Sequence, residues 1–271
     1  MTCILGLRCR DGVVLGADTE ITAYPFSKSQ ESKIRMRVRH TQNPYFFAYA
    51  SDDILFTKGA MSRLGRAIGQ AEKQKRDVID AVKQECRTIV KQDKKKDLIL
   101  VWSMKTGGKY HLFHIQNTNV VEVSNAVDGT GYHSANNLMQ HFYHQDLSIK
   151  EGSLLAVYLL KAAKDSSFGV GGFSQVFLLD DNRGWEPMDH VQVGEIEKAY
   201  EHLHRSLQPL ILSYADWNVK GAAFEIKLAE FTQSLQKQRR YMDRIYAQRL
   251  ENAIKAAEER EDDEDLELGT D

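Results

Sequence analysis

The 271-residue chain has only three cysteines, Cys3, Cys9 and Cys86, an odd number without any C-x-x-C spacing. That excludes a disulfide framework or a cysteine zinc site and predicts reduced core thiols. Charge of one sign is also missing: 36 Lys and Arg stand against 38 Asp and Glu, a formal net charge of -2. There is no electrostatic footprint for nucleic acid or a membrane surface. No apolar run approaches the roughly 18 residues of a membrane span. Arg8, Arg10, Asp11 and Asp18 interrupt any signal-peptide core, so the expected location is the cytoplasm. No internal repeat is apparent. The pairs His141/His144 and His202/His204 have no acidic or cysteine partners at ligand spacing, so no metal and no other cofactor is expected. Gly-Val-Gly-Gly at 169–172 lacks the Gly-Lys-Ser/Thr ending of a phosphate loop and reads as a turn. The basic patch KQDKKKD at 91–97 includes two acids and reads as a loop, not a nucleic-acid footprint.

What is present begins at the N-terminus. Residues 3–9 and 13–17 are apolar, β-rich runs split by Arg10-Asp11-Gly12, a hairpin turn signal. Strands are expected at 34–40 and 45–50. Leu55, Met61, Leu64, Ile68, Val78, Val82, Cys86 and Ile89 then recur at helical spacing, predicting two helices broken near 75–77. Strands follow at 97–103, 110–116 and 118–123, helices at 135–144 and 150–164, and a strand at 173–179. This succession predicts sheets in the middle with helices packed outside. Beyond residue 185 the pattern is helical at 194–212 and 222–257, with Leu228, Phe231, Leu235, Tyr241, Ile245, Leu250 and Ile254 forming an apolar stripe. That stripe either packs on its own domain or docks a neighbouring subunit. The acidic residues from 258 to 271 read as a solvated, disordered tail.

The immediate strand has a chemical consequence. Removal of Met1 would leave Thr2 with a hydroxyl and a free α-amine, whose reference pKa is roughly 7.7–8.0. A neutral amine beside a hydroxyl is a ready general base for a threonine nucleophile. Attack requires fixed geometry, and a strand beginning at residue 3 supplies it. Cys3 is a rival nucleophile only if two residues were removed.

At this point a family resemblance rests on four motifs in order. GLRCRDGVVLGADTEIT, then SKI at 32–34, then the GTG of VDGTGYHS, then AAKDSSFGVGG before a strand resemble proteasome β-type subunits and their bacterial proteasome-like relatives, the N-terminal-nucleophile hydrolases. The resemblance spans about residues 2–190. It implies an α+β, four-layer αββα sandwich over 1–190; the helical extension expected at 191–257 and the acidic tail at 258–271 lie outside it. It carries Thr2 over as nucleophile, Asp18 and Lys33 as its charged support, Thr130 for a serine that manages the amine proton, and Asp165 for the acid of a later motif. A lysine near the hydroxyl favours the alkoxide, and a carboxylate keeps that lysine charged and oriented. Thr22 and Tyr49 fall at substrate-binding positions. There are departures: Tyr49 stands at the glycine whose N–H helps form the oxyanion hole, Phe168 at a serine, and Glu20 at a common basic residue. Taken singly, Asp18 is a plausible turn residue, Lys33 a surface charge and Asp165 a helix-end acid. The expectation is a threonine-type endopeptidase that cuts polypeptides in a ring or helical ring-like homo-oligomer. The alternatives are an inactive scaffold of the same fold and an amidohydrolase of small amides.

Overall fold

A computed structural model of the chain describes residues 2–23, 27–37, 45–181 and 184–267. Three antiparallel sheets and six helices occur among them. The chain divides into two compact units, Met1–Glu197 and Lys198–Asp271.

In the first unit, β1 (Cys3–Cys9) and β2 (Gly12–Asp18) form the predicted hairpin, with Cys9 opposite Gly12. Every residue of β2 is buried, as a central strand requires. A short two-stranded sheet, β3 (Glu20–Ala23) and β4 (Ser27–Gln30), follows. Next come β5 (Ile34–Arg37) and β6 (Tyr45–Ala50), with the rest of the expected 34–40 strand lying outside the described residues. The helices α1 (Ile54–Lys73) and α2 (Val78–Gln92) break where predicted. Each has an aspartate cap: Asp53 accepts the Phe56 N–H at 2.9 Å and Asp77 accepts the Asp80 N–H at 2.8 Å. Such caps contribute about 1 kcal/mol each. The meander β7 (Ile99–Thr106), β8 (Lys109–Gln116) and β9 (Asn119–Glu122) leads to β10 (Asn125–Gly129). Two helices, α3 (Tyr132–Phe142) and α4 (Ile149–Ser166), then precede β11 (Ser174–Asp180) and β12 (Gly184–Pro187). A Ser148–Glu151 capping box starts α4.

One five-stranded sheet has the order β10-β1-β2-β11-β12 and the other β5-β6-β7-β8-β9. Facing residues of both sheets share one apolar cluster: Ile4, Val13 and Leu15 from the first meet Phe46, Ala48, Val101 and Leu112 from the second. The opposite face of β6 and β7 carries Tyr45, Phe47, Tyr49 and Trp102 into a second cluster with Leu64, Ile68 and Val82 of α1 and α2. Period-2 alternation divides β6 between these two clusters. On the first sheet α4 packs against β1, β2 and β11.

The last helices are α5 (His190–Ala215) and α6 (Gly221–Glu267). Inside the second unit, Ser234 Oγ lies 2.9 Å from both His202 Nε2 and Ser206 Oγ. The Tyr214 and Phe224 rings are 6.0 Å apart, so the helices pair as an antiparallel hairpin. Beyond residue 257, α6 continues to Glu267 and takes in acidic residues from 258 onward. Among the described residues no helix is long and apolar enough to cross a membrane.

Candidate active site

Thr2 is held by three segments. Directly after it, Cys3 pairs with Gly129 and Ile4 with both Asp128 and Ala17. The Gly-Thr-Gly turn closes over it: the Gly131 N–H donates to the Thr2 carbonyl at 3.4 Å. Gly129 has φ +92°, and a Cβ there would lie 2.4 Å from the Thr2 carbonyl oxygen. Only glycine meets both demands.

Beneath this terminus, Asp18 at the end of β2 has no solvent exposure, and Thr2 and Lys33 are each 3 % exposed. Thr2 Oγ1 donates to Asp18 Oδ1 at 2.5 Å, Lys33 Nζ to the same oxygen at 2.9 Å and the Cys3 N–H at 2.8 Å. The other oxygen, Oδ2, accepts the N–H groups of Glu20 and Gly171 at 3.2 Å each. Lys33 Nζ also donates to the Glu20 carbonyl at 2.5 Å. A buried carboxylate requires this degree of satisfaction. Burial lowers the Lys33 pKa, while the charge and hydrogen bond of Asp18 oppose that fall. Burial, reinforced by Asp18, pushes the Cys3 thiol up to about 12, which leaves it protonated and a poor rival nucleophile at neutral pH.

The turn at 169–172 has a docking role that the sequence did not disclose. Gly172, at φ +68°, lies against Thr19, whose Oγ1 accepts the Phe173 N–H at 2.8 Å. The Glu20 N–H donates to the Gly171 carbonyl at 3.1 Å. This brings the Gly171 N–H within reach of Asp18.

Above Thr2 opens a cleft of about 500 Å³, walled by Ala50–Asp53 after β6, by Lys95–Asp97 and Ile99, and by Asp128–Thr130. Lys96 pairs with Asp53 and Asp93, each at 3.0 Å. The basic loop at 91–97 is therefore partly cleft wall. Asp128 is held on both oxygens: Oδ1 accepts the Gly129 N–H at 2.6 Å, and Oδ2 lies 2.8 Å from His114 Nε2. Burial raises the Asp128 pKa, but His114 and the Gly129 N–H outweigh it, so the net direction is down. Sequence reasoning missed both residues. The signal for Asp128 was its place directly before Gly-Thr-Gly; nothing local pointed to His114, 14 residues earlier on another strand.

The other expected residues divide. Thr130 is exposed at the cleft edge. Thr22 lies on β3 opposite Lys28, and its side chain falls outside the described residues. Asp165 is not in the cluster: it lies in the last turn of α4, half exposed, paired with Lys161 at 2.5 Å. Tyr49 is likewise not a cleft residue. Its side chain is in the α1–α2 cluster, its N–H donates to the Lys33 carbonyl at 3.1 Å, and burial pushes its hydroxyl up to about 12. The corner that borders the cleft begins instead at Ser51, where Thr57 Oγ1 donates to Ser51 Oγ at 2.6 Å. Phe168 is exposed. Among the described residues no cluster of three His, Cys, Asp or Glu side chains could hold a metal ion.

No family model matches the chain, and no curated protein matches it either. Solved structures do. A Gly-1 mutant of Anbu from Hyphomicrobium sp. strain MC1 superposes with TM-score 0.66 at 15 % identity, over 78 % of this chain and 99 % of that one. Anbu (ancestral beta-subunit) from Yersinia bercovieri gives 0.64 at 14 % identity, over 77 % and 97 %. A further Anbu structure from Hyphomicrobium sp. strain MC1 gives 0.64 at 14 %, over 76 % and 97 %. At such identities the likeness is one of fold. It corrects the family expected from the sequence: membership of the proteasome β-type subunits or their bacterial relatives is not sustained, because no family model matches. The chain has a mixed α/β, Anbu-like fold, distant in sequence from the structures that share it.

Proposed function

We propose that the chain is an N-terminal threonine hydrolase that cleaves peptide amide bonds. The observation that carries this reading is Thr2 Oγ1 seated on the buried Asp18–Lys33 pair at the floor of a cleft. With Met1 removed, the Thr2 amine accepts the hydroxyl proton as Oγ1 attacks the carbonyl carbon. Lys33, kept charged and aimed by Asp18, favours developing negative charge on Oγ1. The tetrahedral intermediate then collapses: the C–N bond breaks, the leaving amine takes the proton from the Thr2 ammonium, and an ester remains. Water, deprotonated by the same amine, hydrolyses the ester and restores Thr2.

Within the same reading, the two facing sheets with α1–α2 and α3–α4 outside them form an αββα sandwich over residues 1–190, and the helices beyond act as an assembly or partner-docking element. Support for the latter comes from Ile211, Leu212, Trp217 and Tyr246, each more than half exposed. Enclosure in a homo-oligomer would keep such a peptidase from cellular proteins. Three free, buried cysteines fit a reducing cytoplasm.

Intact mass before and after a threonine-directed epoxyketone tests the reading. Loss of Met1 and one covalent adduct in wild type, with the adduct absent in Thr2→Ala, is the expected result. Retention of Met1 with no adduct overturns it.

A further inference from the structure

We infer that Asp128, anchored by His114, is the positioning residue that sets the attack geometry of Thr2. The inference rests on the threonine-hydrolase reading for its kinetic consequence, though not for its geometry.

The chain of contacts is short. Thr2 cannot be placed without Gly129, whose Cα hydrogen lies against the Thr2 carbonyl so closely that no side chain fits. The orientation of Gly129 is fixed in turn by its N–H, which donates to Asp128 Oδ1 at 2.6 Å. That carboxylate does not stand alone in the turn, where it could rotate among staggered positions. Its second oxygen is tied to His114 Nε2 at 2.8 Å, and His114 belongs to β8, a central strand of the opposite sheet. The Gly-Thr-Gly turn is therefore braced against the second sheet through two side chains. Thr2 itself is attached to the first sheet through β1. One hydrogen-bonded link thus holds the nucleophile's turn in register with the wall of the cleft that faces it.

Two further observations favour this assignment. Asp128 lies only partly buried in the cleft wall beside Thr2, Gly129 and Thr130, where a carboxylate without a task would turn to water. And Asp165, the acid carried over from the later motif, is paired with Lys161 on the surface of α4. Displacement of a nucleophile by about 1 Å costs on the order of 100-fold in rate, so a brace of this kind has a measurable kinetic signature.

The test uses the full chain with Asp128→Ala, Asp128→Asn and His114→Ala, and reads kinact and KI for epoxyketone labelling by mass, with hydrogen exchange of the peptide spanning residues 2–8. Asp128→Ala is expected to lower kinact roughly 10- to 100-fold with KI unchanged, and to speed exchange of the peptide. Asp128→Asn, which keeps an acceptor for the Gly129 N–H, should recover most of both. Wild-type kinact and exchange in Asp128→Ala would overturn the inference, as would a loss confined to KI, which marks contact with the ligand instead. Should Asp128→Ala fail to fold, His114→Ala decides: a smaller fall in kinact supports the brace and an unchanged kinact sinks it. If wild type forms no adduct, the threonine-hydrolase reading falls, and unaltered exchange in Asp128→Ala would then overturn the brace separately.

Discussion

Two aspartates at opposite ends of one stretch of fold behave differently. Asp18, at the end of β2, is wholly buried and receives Thr2, Cys3 and Lys33 on one oxygen and Glu20 and Gly171 on the other. Asp165, in the last turn of α4, is half exposed and forms a local ion pair with Lys161, four residues earlier. Both are Asp–Lys pairs. In the first, water is excluded and each donor depends on the charge; in the second, solvent screens the pair and replaces it at little cost. The lesson is that an acid's role follows from what surrounds it, not from the motif that contains it.

The strongest way to break that contrast is Asp18→Asn. Removing one partner leaves Lys33 buried and unpaired, which costs about 3–5 kcal/mol, read as a lower urea midpoint, and adduct formation at Thr2 should be lost. A loss below about 1 kcal/mol, the range of an exposed pair, would erase the distinction. Next in size is Gly129→Ala. The positive φ and the close Thr2 carbonyl predict a loss of about 1–3 kcal/mol, checked by thermal unfolding together with the labelling rate.

A smaller effect concerns Asp128, intermediate in burial between the other two. Its folded pKa lies below the unfolded value, so below about 3.9 the unfolded chain binds more protons there. The stability it contributes is present above that pH and is lost as pH falls through its folded pKa. The thermal midpoint of wild type should therefore drop more steeply below about pH 4 than that of Asp128→Asn; parallel acid limbs would contradict the shift. Smallest is Asp165→Asn, expected to cost about 0.3–0.5 kcal/mol and to leave the labelling rate unchanged. A large fall in labelling would return Asp165 to the site.

The expectation for Tyr49 shows why part of the site was illegible. In Ala48-Tyr49-Ala50-Ser51 the alanine recurs at the strand period, so sliding by two residues preserves the face of every side chain. A motif ending in alanine followed by a corner can then be placed at either alanine. Only the actual end of β6 at Ala50 decides that the corner begins at Ser51. The strand β10 was missed for a related reason: its five residues pair with β1 at the far end of the chain, Cys3 with Gly129 and Leu7 with Asn125, and carry little pattern of their own.

The sequence by itself determined the β1–β2 hairpin, the break between α1 and α2, the helical character beyond residue 190, and a threonine followed at once by a buried strand. These depend on hydrophobic period, turn residues and caps, which act over a few neighbours. It also singled out Thr2, Asp18 and Lys33, whose meeting the structure displays at 2.5 and 2.9 Å. Only the tertiary structure decided that Gly171 completes Asp18, that Asp165 faces Lys161, and that His114 braces Asp128 against the Thr2 turn. Those contacts join segments distant along the chain, and which of them form depends on how the two sheets and α4 pack, a property that no local stretch of residues encodes.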